Sequence, residues 1–539
     1  MKPEIIKFCM ERGILLDKEA GEMLSELSEE AARKIIEKIS TSKEKIITKS
    51  FFSKNFESFK ESGDFFEKLK INLGVSVEIF REIAKKQEES PVKPENAGIK
   101  QRGNVKVLYS SSNPTRKLLV DDFVKYFRNR FSAIKGMLQQ RSELEGLVSI
   151  NKLGNNNQRQ GVSVIGLVFS KRITKNKNIL LELEDLTGKI SVLVNQNKPE
   201  LYEKARDVVV DSVIGVKGAG NREFIFANDL FYPEAILPER TTYSQDESVA
   251  FTSDAHVGSK MFLEKNFLRF INWLNGNLGD EKQRKEALKI KYLFLTGDNV
   301  DGVGVYPGQE NLLKIVDIKK QYEKLAEHLS MIRKDVTIII CPGQHDAVRV
   351  AEPQPMIDKE FGYALHELDN VLLVSNPAFV EITPDGKDGV KILMYHGASM
   401  SLVINEVESL RAGKAHDSPA KVVRYLLKTR HLAPIHSSVT YIPNEKDDEL
   451  VIREVPDVIT TADLHRPEVD VSNNVLIVCS SCWQSITPFE EKVGNHPDPC
   501  KVPILNLKTR QIKIMDFSEM EEEETCEEKE GGIVCGAEK

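Results

Sequence analysis

Five apolar runs after residue 245 each end in residues able to hold a metal ion or move a proton. "VAFTSDAH" ends in Asp254 and His256, and "YLFLTGDNVD" in Asp298 and Asp301. "VTIIICPGQHD" ends in Gln344, His345 and Asp346, "VKILMYHG" in His396, and "PDVITTADLH" in Asp463 and His465. Singly these pieces mean little, because an Asp-x-His pair is common and a lone His after a strand is usually a hydrogen-bonded structural residue. The ordered set is specific. Mixed imidazole and carboxylate ligands suit Mn, Fe or Zn. Two such ions about 3.5–4 Å apart supply both the nucleophile and the charge neutralisation that phosphodiester hydrolysis needs. A carboxylate can bridge the ions, and an unligated His can protonate the leaving oxygen. All ten histidines lie at or after position 256, so imidazole chemistry belongs to the C-terminal half.

Residues that converge from five runs need strands to carry them. From 245 to 517, strand-like runs alternate with helical patterns, which predicts a layered α/β domain of β-sheets flanked by helices. Its site would form where strand carboxyl ends meet loops. Upstream, "VSVIGLVF", "NILLELED", "KISVLV", "SVIGVKG" and "EFIFAND" are short β-rich runs separated by Gly, Asn and Lys turns, which predicts a small barrel. "LLELEDLTGKISVLV" resembles the second and third strands of OB-folds. The basic turn "SKRITKNKN", with Phe169, Phe224 and Phe226 nearby, leaves nucleic-acid contact and a purely structural barrel both open.

Residues 1–85 read as a helical module. Ala32, Ile35, Ile36 and Ile39 share one helix face, Ser28 is a candidate N-cap, and helical patterns recur near Phe65 to Leu69 and Val77 to Ala84. Residues 86–118, opening with "KQEESPVKPENAGIKQRGN", read as a flexible linker. Residues 119–240 comprise a helix and the barrel. On that helix Phe123, Tyr126, Phe127, Phe131 and Ile134 share a face, with Lys125, Arg128 and Arg130 expected opposite. Residues 518–539 read as an acidic disordered tail.

Hydrophobic content of 40% and charged content of 29% fit a folded multidomain protein. No apolar run approaches the roughly 20 residues that span a bilayer, and the start is unlike a signal peptide, so a cytoplasmic location is expected. The net charge of −7 does not mark a nucleic-acid binder, although the acidic tail dominates it. Cys479, Cys482 and Cys500 lack a clear fourth ligand and are expected to be buried thiols, not a zinc site.

The strand-end residues resemble the calcineurin-like metallophosphoesterase superfamily, whose pattern is D-x-H, G-D-x-x-D, G-N-H-D/E, a lone His, then G-H-x-H. "GDNVDGVGVYPGQE", "GQHDAVRVAEPQP", "SNPA", "LLKTRHLAP" and "CWQSITPFEEKVGNHPDPCKVPILNL" further resemble the small subunits of archaeal D-family DNA polymerases. These stretches reach across most of residues 245–517. The resemblance implies an OB barrel beside a phosphoesterase domain, and a metal-dependent 3′→5′ exonuclease that proofreads for a separate large polymerase subunit. It implies one metal held by Asp254, His256, Asp298 and His465, and a second by Asp298, Gln344, His396 and Asp463, with His345 assisting catalysis. Mn²⁺ is the first expectation, with Mg²⁺, Fe and Zn²⁺ as the other candidates. The implied partners are the large subunit, DNA with a single-stranded or mismatched 3′ end and, as a further candidate, a sliding clamp. The implied location is the nucleoid.

Three residues depart from the pattern. Gln344 replaces the usual Asn, Asp463 the first His of G-H-x-H, and Ala462 its Gly. Both ligand changes fall on the second metal, which would become oxygen-rich and favour harder cations. A scaffold subunit with a weakened site is the alternative. Gly494-Asn495-His496 mimics the missing motif, but no acid follows its His, so it reads as non-catalytic.

Overall fold

The structure, a computed structural model, describes residues 3–16, 32–33, 36–37, 46–47, 104–111, 117–154, 160–241, 243–383, 389–444 and 446–518. The chain divides into two compact units, Met1–Glu95 and Asn96–Lys539. In the first, a helix spans Pro3–Glu11, and Leu15–Leu16 pairs in parallel with Ile46–Ile47. Ala32 and Ile36 are buried, as the expected helix face requires. Ser28, Ile35, Ile39, the segments near Phe65 and Val77, and the acidic tail beyond 518 lie outside the described residues.

The second unit opens with strand β1 (Val105–Ser110), inside the stretch expected to be linker. Its VKVLYS run buries Val105 and Val107, and its backbone pairs antiparallel with β11 (Ala378–Ile382). A strand this short carries too weak an alternation to stand out beside the Pro and charge that precede it. Helix α1 (Val120–Leu138) follows. Its buried face holds Tyr126, Phe131, Ile134 and Leu138, and also Arg130, which was expected on the solvent side. Arg130 lies one turn after Tyr126, and its Nε donates to the buried Asp448 carboxylate at 2.7 Å. An ion pair from a distant segment therefore overrides the local polarity of the position.

The five β-rich runs form a closed barrel of β2 (Gln160–Ile173), β3 (Ile179–Asp185), β4 (Gly188–Val194), β5 (Val213–Gly220) and β6 (Phe224–Phe231), in the order β2-β3-β4-β6-β5. Only β4 and β6 pair in parallel. Val164, Leu181, Val192, Val216 and Ile225 fill the interior. Of the basic turn, Lys171 is structural, because its Nζ donates to the Arg206 and Val208 carbonyls.

Two six-stranded sheets form the layered domain. The first runs β10 (Val371–Leu373), β9 (Thr337–Cys341), β8 (Ile290–Thr296), β7 (Ser248–Thr252), β16 (Lys501–Asn506) and β17 (Ile512–Asp516), with β7 to β10 all parallel. The second runs β14 (Glu468–Ser472), β15 (Val475–Cys479), β13 (Val458–Thr461), β12 (Val390–Met394), β11 and β1, with β12, β13 and β15 parallel. Strand alternation divides each sheet's side chains between two cores. In β8, Tyr292 and Phe294 meet Val380, Ile392 and Val458 of the other sheet. Leu293 and Leu295 instead pack with Phe267 and Phe270 of α2 (Glu264–Leu274) and Leu325 and Leu329 of α3 (Ile318–Ser330). On the far side, Leu393, Ile459 and Ile477 pack against Val422 and Leu426 of α4 (Pro419–Thr429). The layers are thus helix, sheet, sheet, helix, which buries the strands on both faces and fixes where their carboxyl ends emerge.

Cys479, Cys482 and Cys500 are buried free thiols. Burial pushes Cys479 and Cys500 up to about 12. Among the described residues no helix is long and apolar enough to cross a membrane.

Candidate metal centre

The five expected elements converge at the carboxyl ends of both sheets. Asp254 and His256 follow β7, Asp298 follows β8, and Gln344, His345 and Asp346 follow β9. His396 follows β12, and Asp463 and His465 follow β13. Five of these residues hold left-handed backbone: Asp254 at φ 47°, His256 at 47°, Asp298 at 46°, Asp463 at 67° and His465 at 55°. Each such non-glycine residue costs of order 1–3 kcal/mol, and clusters of them mark functional sites. The conformation turns each strand sharply, so side chains two residues apart, such as Asp254 and His256, both reach the centre. Two glycines make room. A Cβ on Gly297 would lie 2.2 Å from His396 Nδ1, and one on Gly343 would lie 2.2 Å from an Asp298 carboxylate oxygen.

Ligand-type atoms of Asp254, His256 and His465 lie within 4.8 Å of one another, as do those of Asp254, Asp298 and His396. His396 Nε2 is 3.3 Å from Asp298 Oδ2 and 3.8 Å from Asp463 Oδ1. His345 Nε2 stands 4.0 Å from Asp298 Oδ2, while its backbone N–H donates to Asp298 Oδ1 at 2.8 Å.

The tautomers follow from the other ring nitrogens. Each Nδ1 meets an oxygen that can only accept. His256 donates to Asp301 Oδ1 at 3.2 Å, and His345 to the Asp301 carbonyl at 2.7 Å. His396 donates to the Thr296 carbonyl at 2.9 Å, and His465 to Glu490 Oε1 at 2.9 Å. In the neutral rings all four Nε2 atoms therefore carry lone pairs. Those of His256 and His465 face each other at 3.4 Å, and that of His465 faces Asp254 Oδ1 at 3.4 Å. Lone pairs opposed in a buried site repel unless a cation lies between them. Asp254 Oδ1, His396 Nε2 and Gln344 Oε1 are all buried without a hydrogen-bond partner. Orphaned buried acceptors of this kind fit a divalent cation.

The electrostatics show the same demand for positive charge, which a proton on the ring meets as a metal ion would. Burial pushes the Asp298 carboxyl up, but the His396 and His345 imidazoles outweigh it and hold Asp298 well below the carboxylate range. Burial opposes charging of His396, yet Asp298 raises it well above the ordinary imidazole value. Burial raises the Asp463 carboxyl.

Two residues outside the two implied ligand groups position the histidines. Asp301, read as a strand-end ligand, holds both His256 and His345. Glu490 lies in α5 (Pro488–Val493), which directly precedes the Gly494-Asn495-His496 stretch that reads as non-catalytic. One of its oxygens accepts from Thr487 N at 2.9 Å in a capping box, and the other orients His465. Asp346 turns away from the centre. It accepts from Gly343 N at 2.9 Å, Asn299 N at 3.1 Å and Tyr322 OH at 2.9 Å, which shapes the Gln344 turn. Gly494-Asn495-His496 is the C-terminal cap of α5. Gly494 has φ 74°, and His496 is exposed and outside every close ligand group among the described residues.

The family of DNA polymerase alpha/epsilon B subunits matches residues 249–470, the span that carries all five elements. A DNA polymerase II small subunit from Methanothermobacter thermautotrophicus is 40% identical over 399 residues, covering 74% of this chain and 80% of that relative. One from Archaeoglobus fulgidus is 37% identical over 400 residues, covering 74% and 78%. One from Pyrococcus furiosus is 38% identical over 406 residues, covering 75% of this chain but 64% of that relative. The chain belongs to the family of archaeal DNA polymerase II small subunits.

Proposed function

We propose that this subunit removes nucleotides from DNA 3′ ends by metal-dependent phosphodiester hydrolysis, proofreading for a large polymerase subunit to which it binds. The observation that carries the reading is the set of four histidines whose Nδ1 protons are committed outward, so that their Nε2 lone pairs converge with Asp254 and Asp298. Asp254, His256, Asp298 and His465 would hold one ion, and Asp298, Gln344, His396 and Asp463 a second. Such ions, when bound, lower the pKa of a coordinated water and polarise the phosphate. His345 is the proton carrier. The Asp301 carbonyl fixes its Nδ1–H, which leaves Nε2 to exchange a proton with the leaving 3′ oxygen. Asp301 and Glu490 keep His256 and His465 in the ligating tautomer. The 3′→5′ polarity and the large subunit come from the family resemblance.

The test is digestion of a 3′-mismatched primer with Mn²⁺ by the chain purified with its large subunit. His345→Ala should slow digestion by about 10²–10⁴-fold, with bound Mn²⁺ unchanged by elemental analysis. An intact primer with every divalent ion tried, or a variant as fast as the parent, overturns the assignment.

One observation favours a second reading, a scaffold subunit with a weakened site. Asp463 belongs to neither of the two groups built on Asp254, and its Oδ1 stands 3.8 Å from His396 Nε2. On that reading primer extension with the large subunit survives while digestion is absent from the parent.

A further inference from the structure

The loop after Asp301 places apolar and aromatic groups at the mouth of a charged site. Val303 is 50% exposed and Val305 39%. The half-buried Tyr306 ring stands edge-on to His345, with centroids 6.2 Å apart. Exposed apolar groups beside a site rich in charge call for an apolar counterpart.

The loop is built to hold its place. Gln309 is fully buried, accepts from Val305 N at 2.9 Å and donates to the Asp301 carbonyl at 2.7 Å. Gln321 brackets Gly302, accepting from its N–H at 2.9 Å and donating to its carbonyl at 3.1 Å. Asp301 therefore anchors both the loop and the His256 and His345 rings, so Tyr306 is in register with the reacting centre. A nucleotide joins a charged phosphodiester to an aromatic base. The ligand cluster and His345 suit the first part, and the adjoining ring with its two valines suits the second.

We propose that residues 303–307 form the platform on which the unpaired 3′-terminal base stacks, with Tyr306 as the stacking ring. This deepens the exonuclease reading and rests on it, because a paired terminal base cannot lie on the platform without fraying. Mismatched ends are then favoured substrates by the lower cost of unpairing. Stacking on an aromatic face tolerates any base, as a proofreading site requires.

The test uses the full chain carrying His345→Ala, Mn²⁺, and a single-stranded oligonucleotide with 2-aminopurine as its 3′-terminal base. Stacking quenches that base's fluorescence. The expected result is quenching on binding that is absent when the probe base sits well inside the strand. It should be lost with Tyr306→Ala and Tyr306→Leu, kept with Tyr306→Phe, and accompanied in the first two by affinity about 5- to 100-fold weaker. Equal quenching with and without the ring, or none in the His345→Ala parent, overturns the platform. A Tyr306→Ala chain that quenches normally but loosens its hold on the large subunit overturns it in favour of a protein contact. Ring-dependent quenching in a protein that digests no DNA leaves the platform standing and sinks the exonuclease.

Discussion

Asp448 and Asp298 are both buried carboxylates set against histidines, and they are held in opposite ways. Asp448 accepts from Arg130 Nε at 2.7 Å, from His431 Nε2 at 2.9 Å and from Leu450 N at 3.0 Å. His431 Nδ1 is itself an acceptor, taking the Ala433 N–H at 2.9 Å, so the proton sits on Nε2 and points at the carboxylate. Burial raises Asp448, but His431 and Arg130 outweigh it and hold the carboxyl well below its usual range. Around Asp298 the tautomer is reversed. His396 commits its Nδ1–H to the Thr296 carbonyl and turns Nε2, the atom that a metal ion or a second proton would take, toward the carboxylate. The same residue types make a closed cluster in one place and an open one in the other, and the difference is whether the backbone group at Nδ1 is an N–H or a carbonyl. The closed cluster carries its own cation in Arg130. On the proposed reading, the open one takes its cations from solution.

The largest expected effect tests the open side. Asp298→Asn should lower 3′-end digestion at least about 10³-fold, about 4 kcal/mol in the barrier. It should also abolish the rise in Tm that Mn²⁺ gives the parent. A variant that still melts higher with Mn²⁺ would break the contrast, since Asp298 would then not be shared between ions.

Next comes the closed side. Asp448→Asn leaves Arg130 buried without its partner and should cost about 3–5 kcal/mol of stability by denaturant unfolding. The Mn²⁺ response and the activity of the folded fraction should be retained. Because the folded pKa of Asp448 is depressed, its contribution is present above the unfolded value of about 3.9 and is lost as pH falls through the lower folded pKa. An unfolding free energy equal to the parent's would show that Arg130 finds another anion.

The smallest effect concerns the oxygen-rich half of the open cluster. Gln344→Asn combined with Asp463→His restores an amide on a shorter arm and an imidazole. It should shift preference from Mn²⁺ toward Zn²⁺ by on the order of tenfold, about 1.4 kcal/mol, read by competitive metal titration. An unaltered preference would mean these two residues do not set it.

Residues directly after strongly apolar strands were legible. Asp254, Asp298, His345, His396 and His465 stand where a continuous apolar run stops, and the barrel strands declared themselves as short β-rich runs between Gly, Asn and Lys turns. Partners brought by distant segments were not legible. Nothing local separates Arg130 from Arg128 on the same helix, because Asp448 lies 318 residues away along the chain. Glu490 is an ordinary capping-box residue of its helix. Its second oxygen acquires another role only through folding. Thr487 followed three residues later by Glu explains the helix start so well that it hides the contact with His465.

Strand β1 has a consequence for how the molecule is made. Beside it, Ser111 N–H donates to Ser375 Oγ, a contact spanning 264 residues. The chain enters the second sheet at β1, leaves it to build α1 and the whole barrel, and returns only at β11. At a synthesis rate of about 5–20 residues per second, β1 waits roughly 15–50 s for its neighbour to exist. The barrel can close in that interval, whereas the layered domain cannot complete its edge. Deleting the chain up to residue 111 would thus strip β11 of its cover and expose an open strand edge, the usual starting point for aggregation.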